Sequence, residues 1–411
     1  MTKASKDDMR NANLLTLLQC IQHNAPISKN ELKELTGLSW GTVSGLTSEL
    51  TRKGVIIEGT RSVSMQVGRT PALASINPNY CYAIGLELNT DGITVALMNL
   101  KMEIEEMYSE PIRDNAKASV LSQSFHVLDT FLDSIGSKKD RLLGIGISMQ
   151  GIVDSIGGIS VYSPYFSDWS NVNLKQIYSD RYHINTYLEH SPICQALYEK
   201  QIGVGKGLHD IVYIRASSGI GMCIMINDTV IRGADGNAGE FGHIIVEPNG
   251  RQCACGKRGC LETVASTKAL IEMAQEHVQA RKDTMLISEY GVTDPKKIDM
   301  ELIYNAACRG DAFCLGLFRN VGKHLGAAIS TLINIMNPRV IILGGALAQY
   351  ESLFTPTLTA VLEERVWAYS NRSILYSRSR QNTAVIGAAL NVINRFYVGE
   401  YSELFSFGGT K

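Results

Sequence analysis

Asp235-Gly236-Asn237-Ala238-Gly239-Glu240-Phe241-Gly242-His243 is followed, nine residues on, by Cys253-Ala254-Cys255-Gly256-Lys257-Arg258-Gly259-Cys260-Leu261-Glu262. One imidazole and three thiols fall within eighteen residues, His243 to Cys260. That is the number of soft or borderline donors a closed tetrahedral Zn²⁺ site needs. Gly256 and Gly259 let the backbone fold around an ion between Cys255 and Cys260. Four protein ligands leave no open position, so the expected ion is structural. Its ligands are His243, Cys253, Cys255 and Cys260. An ion that pins this loop also pins the carboxylates bracketing it, Glu240 and Glu262.

The remaining cysteines (Cys20, Cys81, Cys194, Cys223, Cys308 and Cys314) are scattered without a disulfide framework. A polar N-terminus with an amphipathic first apolar run carries no secretory pattern. No apolar stretch approaches a membrane span. The expected setting is a reducing cytoplasm, with no membrane partner. At 411 residues, 45% hydrophobic and 19% charged, the chain suits two or three globular domains. Its net charge of −1 is unevenly spread. Residues 1–70 hold nine Lys/Arg against six Asp/Glu, and the rest hold thirty against thirty-four. A mildly basic head on an acidic body is compatible with nucleic-acid contact by the head alone.

Leu14, Leu17, Leu18 and Ile21 make one helical stripe that ends at Asn24-Ala25-Pro26. Ser28-Lys29-Asn30-Glu31 has the capping-box form and starts a second helix, to about Thr36. Gly37 turns the chain, and Ser39 caps a third helix that stops at Gly54. Leu32, Leu35, Leu38, Val43, Leu46 and Leu50 are the expected shared core. The other face of helix three is small and polar: Trp40, Gly41, Thr42, Ser44, Gly45, Thr47 and Ser48. Such a face can sit deep in a major groove, with hydroxyls reaching base edges or phosphates. Val55–Ile57 and Leu73–Ile76 read as a hairpin wing. The expected DNA contacts are Ser39, Trp40, Thr42, Ser44, Thr47, Ser48, Arg52, Lys53 and Arg69. The last lies in Gly68-Arg69-Thr70-Pro71 and suits a narrow minor groove, or else a solvated linker.

From Tyr82 onward strands and helices alternate. Tyr82–Leu88 and Ile93–Leu100 form one strand–turn–strand. Ile211–Ala216 and Met222–Ile226, joined through Ser217–Gly221, form another. Two halves that open alike predict a duplicated α/β domain. The division expected is a winged helix-turn-helix with linker over 1–78 and the α/β domain over 79–411.

The Gly239–His243 and Cys253–Glu262 patterns, with Asn337-Pro338-Arg339-Val340-Ile341-Ile342-Leu343-Gly344-Gly345, resemble the ROK family (repressors, open reading frames, kinases). The winged head followed by Gly68-Arg69-Thr70-Pro71 is similar to its regulator branch, which includes xylose-, N-acetylglucosamine- and glucose-responsive repressors. The resemblance runs from about residue 10 to about 395. It implies an actin-like (ribonuclease H-like) duplicated fold, a sugar site and a structural zinc. Family kinases cradle ATP on a first-strand Asp and a Gly-Gly-Thr turn; here Glu87 and Asn89-Thr90-Asp91 stand there. The family's catalytic Asp falls on Ser191, beside His190, and serine cannot act as a base without one of its own. By the same resemblance Glu240, His243 and Glu262 contact sugar hydroxyls, and His190 lies at the sugar. The carboxylates can equally orient the metal ligands. Ser163–Trp169 resembles the family's loop over the sugar.

These readings predict a sugar-responsive regulator, catalytically inactive as a kinase. Its partners are operator DNA and a monosaccharide, and it acts as a homodimer or homotetramer. The alternatives are a sugar kinase with a fused DNA-binding head, and a regulator whose large domain senses a protein.

Overall fold

A computed structural model of the chain describes residues 6–60, 72–367, 372–379, 381–401 and 404. The expected wing tip, Arg69 and the motif around it lie outside the described residues. The chain divides into two compact units. One holds everything up to Gly151, Ser155–Glu189 and the chain from Val385 on; the other holds Ile152–Asp154 and His190–Ala384. Among the described residues no helix is long and apolar enough to cross a membrane.

The head opens the first unit. α1 (Lys6–Asn24), β1 (Ile27–Ser28), α2 (Lys29–Thr36) and α3 (Trp40–Arg52) precede the wing strands β2 (Ile56–Thr60) and β3 (Ala72–Ile76). Ser28 caps α2 reciprocally: its Oγ accepts from Glu31 N–H at 3.3 Å, and its own N–H donates to Glu31 Oε2 at 2.8 Å. Gly37 then takes φ 67° and ends the helix. β1 and β2 both pair antiparallel with β3, Ile27 opposite Ala74 and Ile56 opposite Ile76. Leu14, Leu17, Leu18, Ile21, Leu32, Val43, Leu46 and Leu50 are buried, as the stripe predicts. Leu35 is not: it is 61% exposed. Three residues past Leu32, it points about 60° away from the contact line of a two-turn helix. Leu38 is only partly buried.

The first half of the large domain follows. It comprises β4 (Tyr82–Leu88), β5 (Ile93–Asn99), β6 (Ile104–Glu110), α4 (Lys117–Ser134), β7 (Leu142–Met149), the short strands β8 (Ile152–Asp154), β9 (Ile159–Tyr162) and β10 (Ser170–Val172), α5 (Leu174–Tyr182) and β11 (Thr186–His190). The second half runs through α6 (Ser191–Gln201), β12 (Ile211–Ala216), β13 (Ile220–Ile226), β14 (Thr229–Val230), α7 (Glu262–Ala265), α8 (Thr267–Gln279), α9 (Met285–Ser288), α10 (Met300–Cys308), α11 (Ala312–Met336), β15 (Val340–Gly344), α12 (Glu351–Arg365) and β16 (Ser373–Tyr376). The last helix, α13 (Thr383–Tyr397), returns to the first unit.

The two sheets have one topology. The first is ordered β11-β7-β4-β5-β6, and the second, read in the same direction, β16-β15-β12-β13-β14. In each, an antiparallel meander meets a parallel strand at its first member: β4 with β7, β12 with β15. The expected duplication is therefore present. One boundary moves: Ile220 and Gly221 belong to β13, paired with Ala216 and Arg215, so the turn is only Ser217–Gly219.

Helices cover the second sheet on both faces. Phe318, Val321, Leu325 and Ile329 of α11 pack with Ile214, Ile341 and Leu343. Ile193, Ala196 and Leu197 of α6 pack with Tyr213 and Ile342. Covered faces explain why these strands read as unbroken apolar runs. In the first unit α13 lies directly on β4 and β7. A Cβ on Gly85 would stand 2.0 Å from the Val385 carbonyl oxygen, and one on Gly146 2.0 Å from that of Ala388. Backbone rests on backbone there, so neither strand can carry a side chain. Gly146→Ala is expected to cost about 1–3 kcal/mol or more by overpacking. Chemical denaturation monitored on the full chain measures this; an unchanged midpoint would contradict the close contact.

Candidate metal centre, ligand pocket and DNA-reading face

The segment between β14 and α7 has almost no regular structure, so hydrogen bonds and glycines shape it. Gly239 takes φ 104°, and a Cβ there would stand 2.2 Å from the Met222 carbonyl oxygen of β13. This close approach seats Glu240 and His243 beside the second sheet, with Phe241 buried as an anchor. Gly259 takes φ 77°, and a Cβ there would meet the Glu247 carbonyl oxygen at 1.7 Å. The N–H groups of Val246 and Glu247 both donate to the Gly259 carbonyl, at 2.9 and 3.1 Å. Cys253 N–H donates to the Lys257 carbonyl at 2.8 Å and closes the cysteine turn. His324 of α11 reaches the loop from the other side, its Nε2 3.4 Å from Glu247 Oε1.

These constraints bring His243, Cys253, Cys255 and Cys260 together, with one donor atom of each within 4.8 Å of the others. Cys253 Sγ lies 3.6 Å from His243 Nδ1, and Cys255 Sγ 3.7 Å from Cys260 Sγ. With metal–sulfur bonds of about 2.3 Å, the edge of a tetrahedral site is about 3.8 Å. The two measured edges match that size, so the cluster can hold a metal ion. Burial and the neighbouring thiols push Cys260 up to about 12. Burial also acts on Cys255, but the Lys257 backbone N–H and the other thiols outweigh it and hold that thiol below its usual value.

His243 presents its two nitrogens to different neighbours. Nδ1 faces the thiols, while Nε2 stands 3.8 Å from Glu240 Oε2. Burial raises the Glu240 carboxyl, opposed by His243 and assisted by the Glu262 charge. Glu240, His243 and Glu262 therefore share one electrostatic neighbourhood. Glu262 Oε2 accepts from Ile220 N–H at 2.9 Å, a contact across 42 residues that no local pattern signals. His190 and Ser191 belong to different elements. His190 ends β11 and stands at the N-cap of α6, whereas Ser191 is the first residue of that helix. Ser191 is 1% exposed, and its Oγ has no hydrogen-bond partner among the described residues.

The turns that join β4 to β5 and β12 to β13 each use some of their backbone donors internally. In the first, Asn89 N–H donates to the Gly92 carbonyl, Gly92 N–H returns the bond, and Thr90 N–H donates to Asn89 Oδ1 at 2.7 Å. Asp91 is exposed at its tip. In the second, Ser217 N–H donates to the Gly219 carbonyl at 2.9 Å, and Ile220 N–H is taken by Glu262. Donors used internally are not available to a phosphate. The Ser163–Trp169 loop turns its aromatics inward: Phe166 and Trp169 pack at 5.0 Å, and Trp169 Nε1 donates to Ser160 Oγ.

On α3 the expected reading face is largely exposed. Ser39 Oγ caps the helix, accepting from Thr42 N–H at 3.2 Å. Trp40 is 49% exposed. Gly41, Gly45, Ser48 and Arg52 are exposed, while Thr42, Ser44 and Lys53 are partly so. Thr47 is the correction. It is fully buried, and its hydroxyl donates to the Val43 carbonyl, so it cannot reach DNA. One residue past Leu46, it falls on the core side of the helix, and its hydroxyl bonds back one turn, as buried threonines do.

Comparison with known proteins agrees in both parts. The ROK family profile matches residues 83–395, and a winged helix-turn-helix DNA-binding profile matches residues 10–57. The xylose repressor of Caldicellulosiruptor bescii is 30% identical over 389 residues, 94% of this chain and 96% of the relative. A solved ROK family transcriptional regulator, described as a homologue of the Escherichia coli MLC protein, superposes with a TM-score of 0.83 at 27% identity. It covers 96% of this chain and 98% of its own. A ROK family glucokinase from Streptomyces griseus, solved with glucose and AMPPNP, shares the fold with a TM-score of 0.65 at 23% identity, over 75% of this chain and 98% of its own.

Purified protein is expected to carry about one transition-metal ion per chain. Cys260→Ser should lower that content severalfold and reduce the melting temperature. Elemental analysis of both proteins decides it; equal, near-zero metal in the two would refute the site.

Proposed function

The chain belongs to the ROK family, and from that premise we propose that it is a sugar-responsive transcriptional repressor of carbohydrate uptake or catabolism genes, without kinase activity of its own. The observation that carries the reading is Ser191. Where family kinases have a carboxylate base, this chain has a buried hydroxyl with no acceptor beside it among the described residues. Without an acceptor the serine cannot take a proton from a sugar hydroxyl. The N–H groups of Asn89, Thr90, Gly92, Ser217 and Ile220 are already hydrogen-bonded, which favours the same reading on the nucleotide side.

Recognition without reaction then falls to Glu240, His243 and Glu262, together with His190. Carboxylates and an imidazole nitrogen suit the hydroxyls of an uncharged monosaccharide. His243 binds Zn²⁺ through Nδ1 together with Cys253, Cys255 and Cys260, and this leaves Nε2 for the sugar. The ion supplies constraint only: it fixes the loop on which Glu240 stands. The division proposed puts the DNA-binding head with its linker over 1–78 and the sugar-binding domain over 79–411. Ser39, Trp40, Thr42, Ser44, Ser48, Arg52 and Lys53 face operator DNA, with Arg69 reaching an adjacent groove. Acting as a homodimer or homotetramer in the cytoplasm, the protein places two α3 helices about one DNA turn apart.

Fluorescence anisotropy on the DNA upstream of this gene tests the reading. Sequence-selective binding that weakens steeply with salt is expected. One monosaccharide of a panel should raise the melting temperature and lower DNA affinity. Glu262→Gln should weaken that sugar by about tenfold or more, as expected for losing a charged hydrogen-bond acceptor. Absence of selective DNA binding, or ATP-dependent phosphorylation of any sugar in a coupled assay, would defeat the proposal.

A further inference from the structure

The head contains one buried charge that neither its core nor its reading face explains. Glu49 sits in the last turns of α3 with its side chain 7% exposed. Arg10 of α1, 39 residues earlier, donates from Nη2 to Glu49 Oε2 at 2.5 Å. The second oxygen, Oε1, accepts no hydrogen bond among the described residues, and Lys53 Nζ stands 3.9 Å away. Arg10 itself is 43% exposed, so the pair lies at the rim of the helical core.

Stability does not account for this arrangement. A carboxylate removed from water with one oxygen unsatisfied is costly, and an apolar side chain of similar volume often serves a core as well. Orientation accounts for it better. Val43, Leu46 and Leu50 seat α3 by apolar contact, which is non-directional and tolerates rotation about the helix axis. A charge-assisted hydrogen bond is directional. On a helix of about 10–12 Å diameter, a roll of about 20° carries side-chain tips through about 2 Å. That is enough to break hydrogen bonds to base edges. Glu49 adjoins Ser48 and stands one turn from Gly45, so anchoring Glu49 sets the angle of the exposed face.

We propose that Glu49 is a positioning residue for operator recognition, holding the rotation of α3 through Arg10 without touching DNA. The inference rests on the DNA-binding reading above. The test uses the full-length protein, a duplex of the sequence upstream of this gene, and a scrambled duplex of equal length. Glu49→Gln and Arg10→Gln are each expected to weaken binding to the upstream duplex by about tenfold, and the double variant by no more than either alone. Binding to the scrambled duplex and the slope of affinity against salt should be unchanged, because no phosphate contact is removed. A role in folding alone would lower the melting temperature without changing the ratio between duplexes, and that result overturns the proposal. If Glu49→Gln binds as wild type while Arg10→Gln flattens the salt slope by about one, Arg10 is a phosphate contact and the proposal is wrong. Glu49→Leu guards against misfolding by glutamine: if it melts as wild type and keeps full selectivity, Glu49 positions nothing. If wild-type protein does not distinguish the duplexes, the DNA-binding reading fails first.

Discussion

Four side chains from an irregular segment must meet at one point, and the placement of Glu240 and Glu262 depends on that meeting. The stretch from Arg232 to Leu261 has no long helix or strand to hold it, yet it carries Glu240 and His243 and leads into Glu262. Its shape comes from backbone contacts close enough to exclude a Cβ at Gly239 and Gly259, and from the convergence of one imidazole and three thiols. Like-charged thiolates in this space would repel, so a bound cation is the natural counterpart of their closeness. His243 joins the two tasks because its nitrogens face opposite ways, one toward sulfur and one toward a carboxylate.

The repeated sheet topology shows what the chain has kept and what it has altered. Both five-stranded sheets retain the same order, and each keeps its strand–turn–strand opening. The turns themselves have changed chemistry. Asn89 folds its side chain back on the Thr90 N–H and receives Gln150 Nε2, and Glu262 occupies the Ile220 N–H. Each new bond removes a donor that an anionic ligand would need, while the architecture carrying it is untouched.

Much of this was legible in the sequence because the signals were local. The Ser28–Glu31 cap, the Gly37 turn and the Ser39 cap each depend on residues within three or four positions. The apolar strands were legible because covered sheets admit little else, and the metal-ligand spacing because four donors lie within eighteen residues. The misreadings have geometric causes. Leu35 sits about 60° from Leu32, on the flank of a short helix, while Thr47, four residues past Val43 and three before Leu50, falls within the core stripe and was misread because its side chain is polar. Pro192 in the first turn is the local signal that α6 begins at Ser191. The Arg10–Glu49 and Ile220–Glu262 contacts span 39 and 42 residues and leave no trace in any window.

The closing segment of the chain has a role out of proportion to its length. Val385, Ala388, Ala389 and Val392 are fully buried, and α13 lies on strands laid down some three hundred residues earlier. Tyr397 Oη then donates to the Leu100 carbonyl, Tyr401 Oη donates to that of Leu143, and Gln19 of α1 donates to the Tyr397 carbonyl. During synthesis the first sheet therefore emerges with one face uncovered. It waits for α13 to leave the ribosome before that face can be closed. A transcript cut short before codon 385 would encode a DNA-reading head attached to a half-finished body, a product for chaperones and proteases instead of a partial regulator.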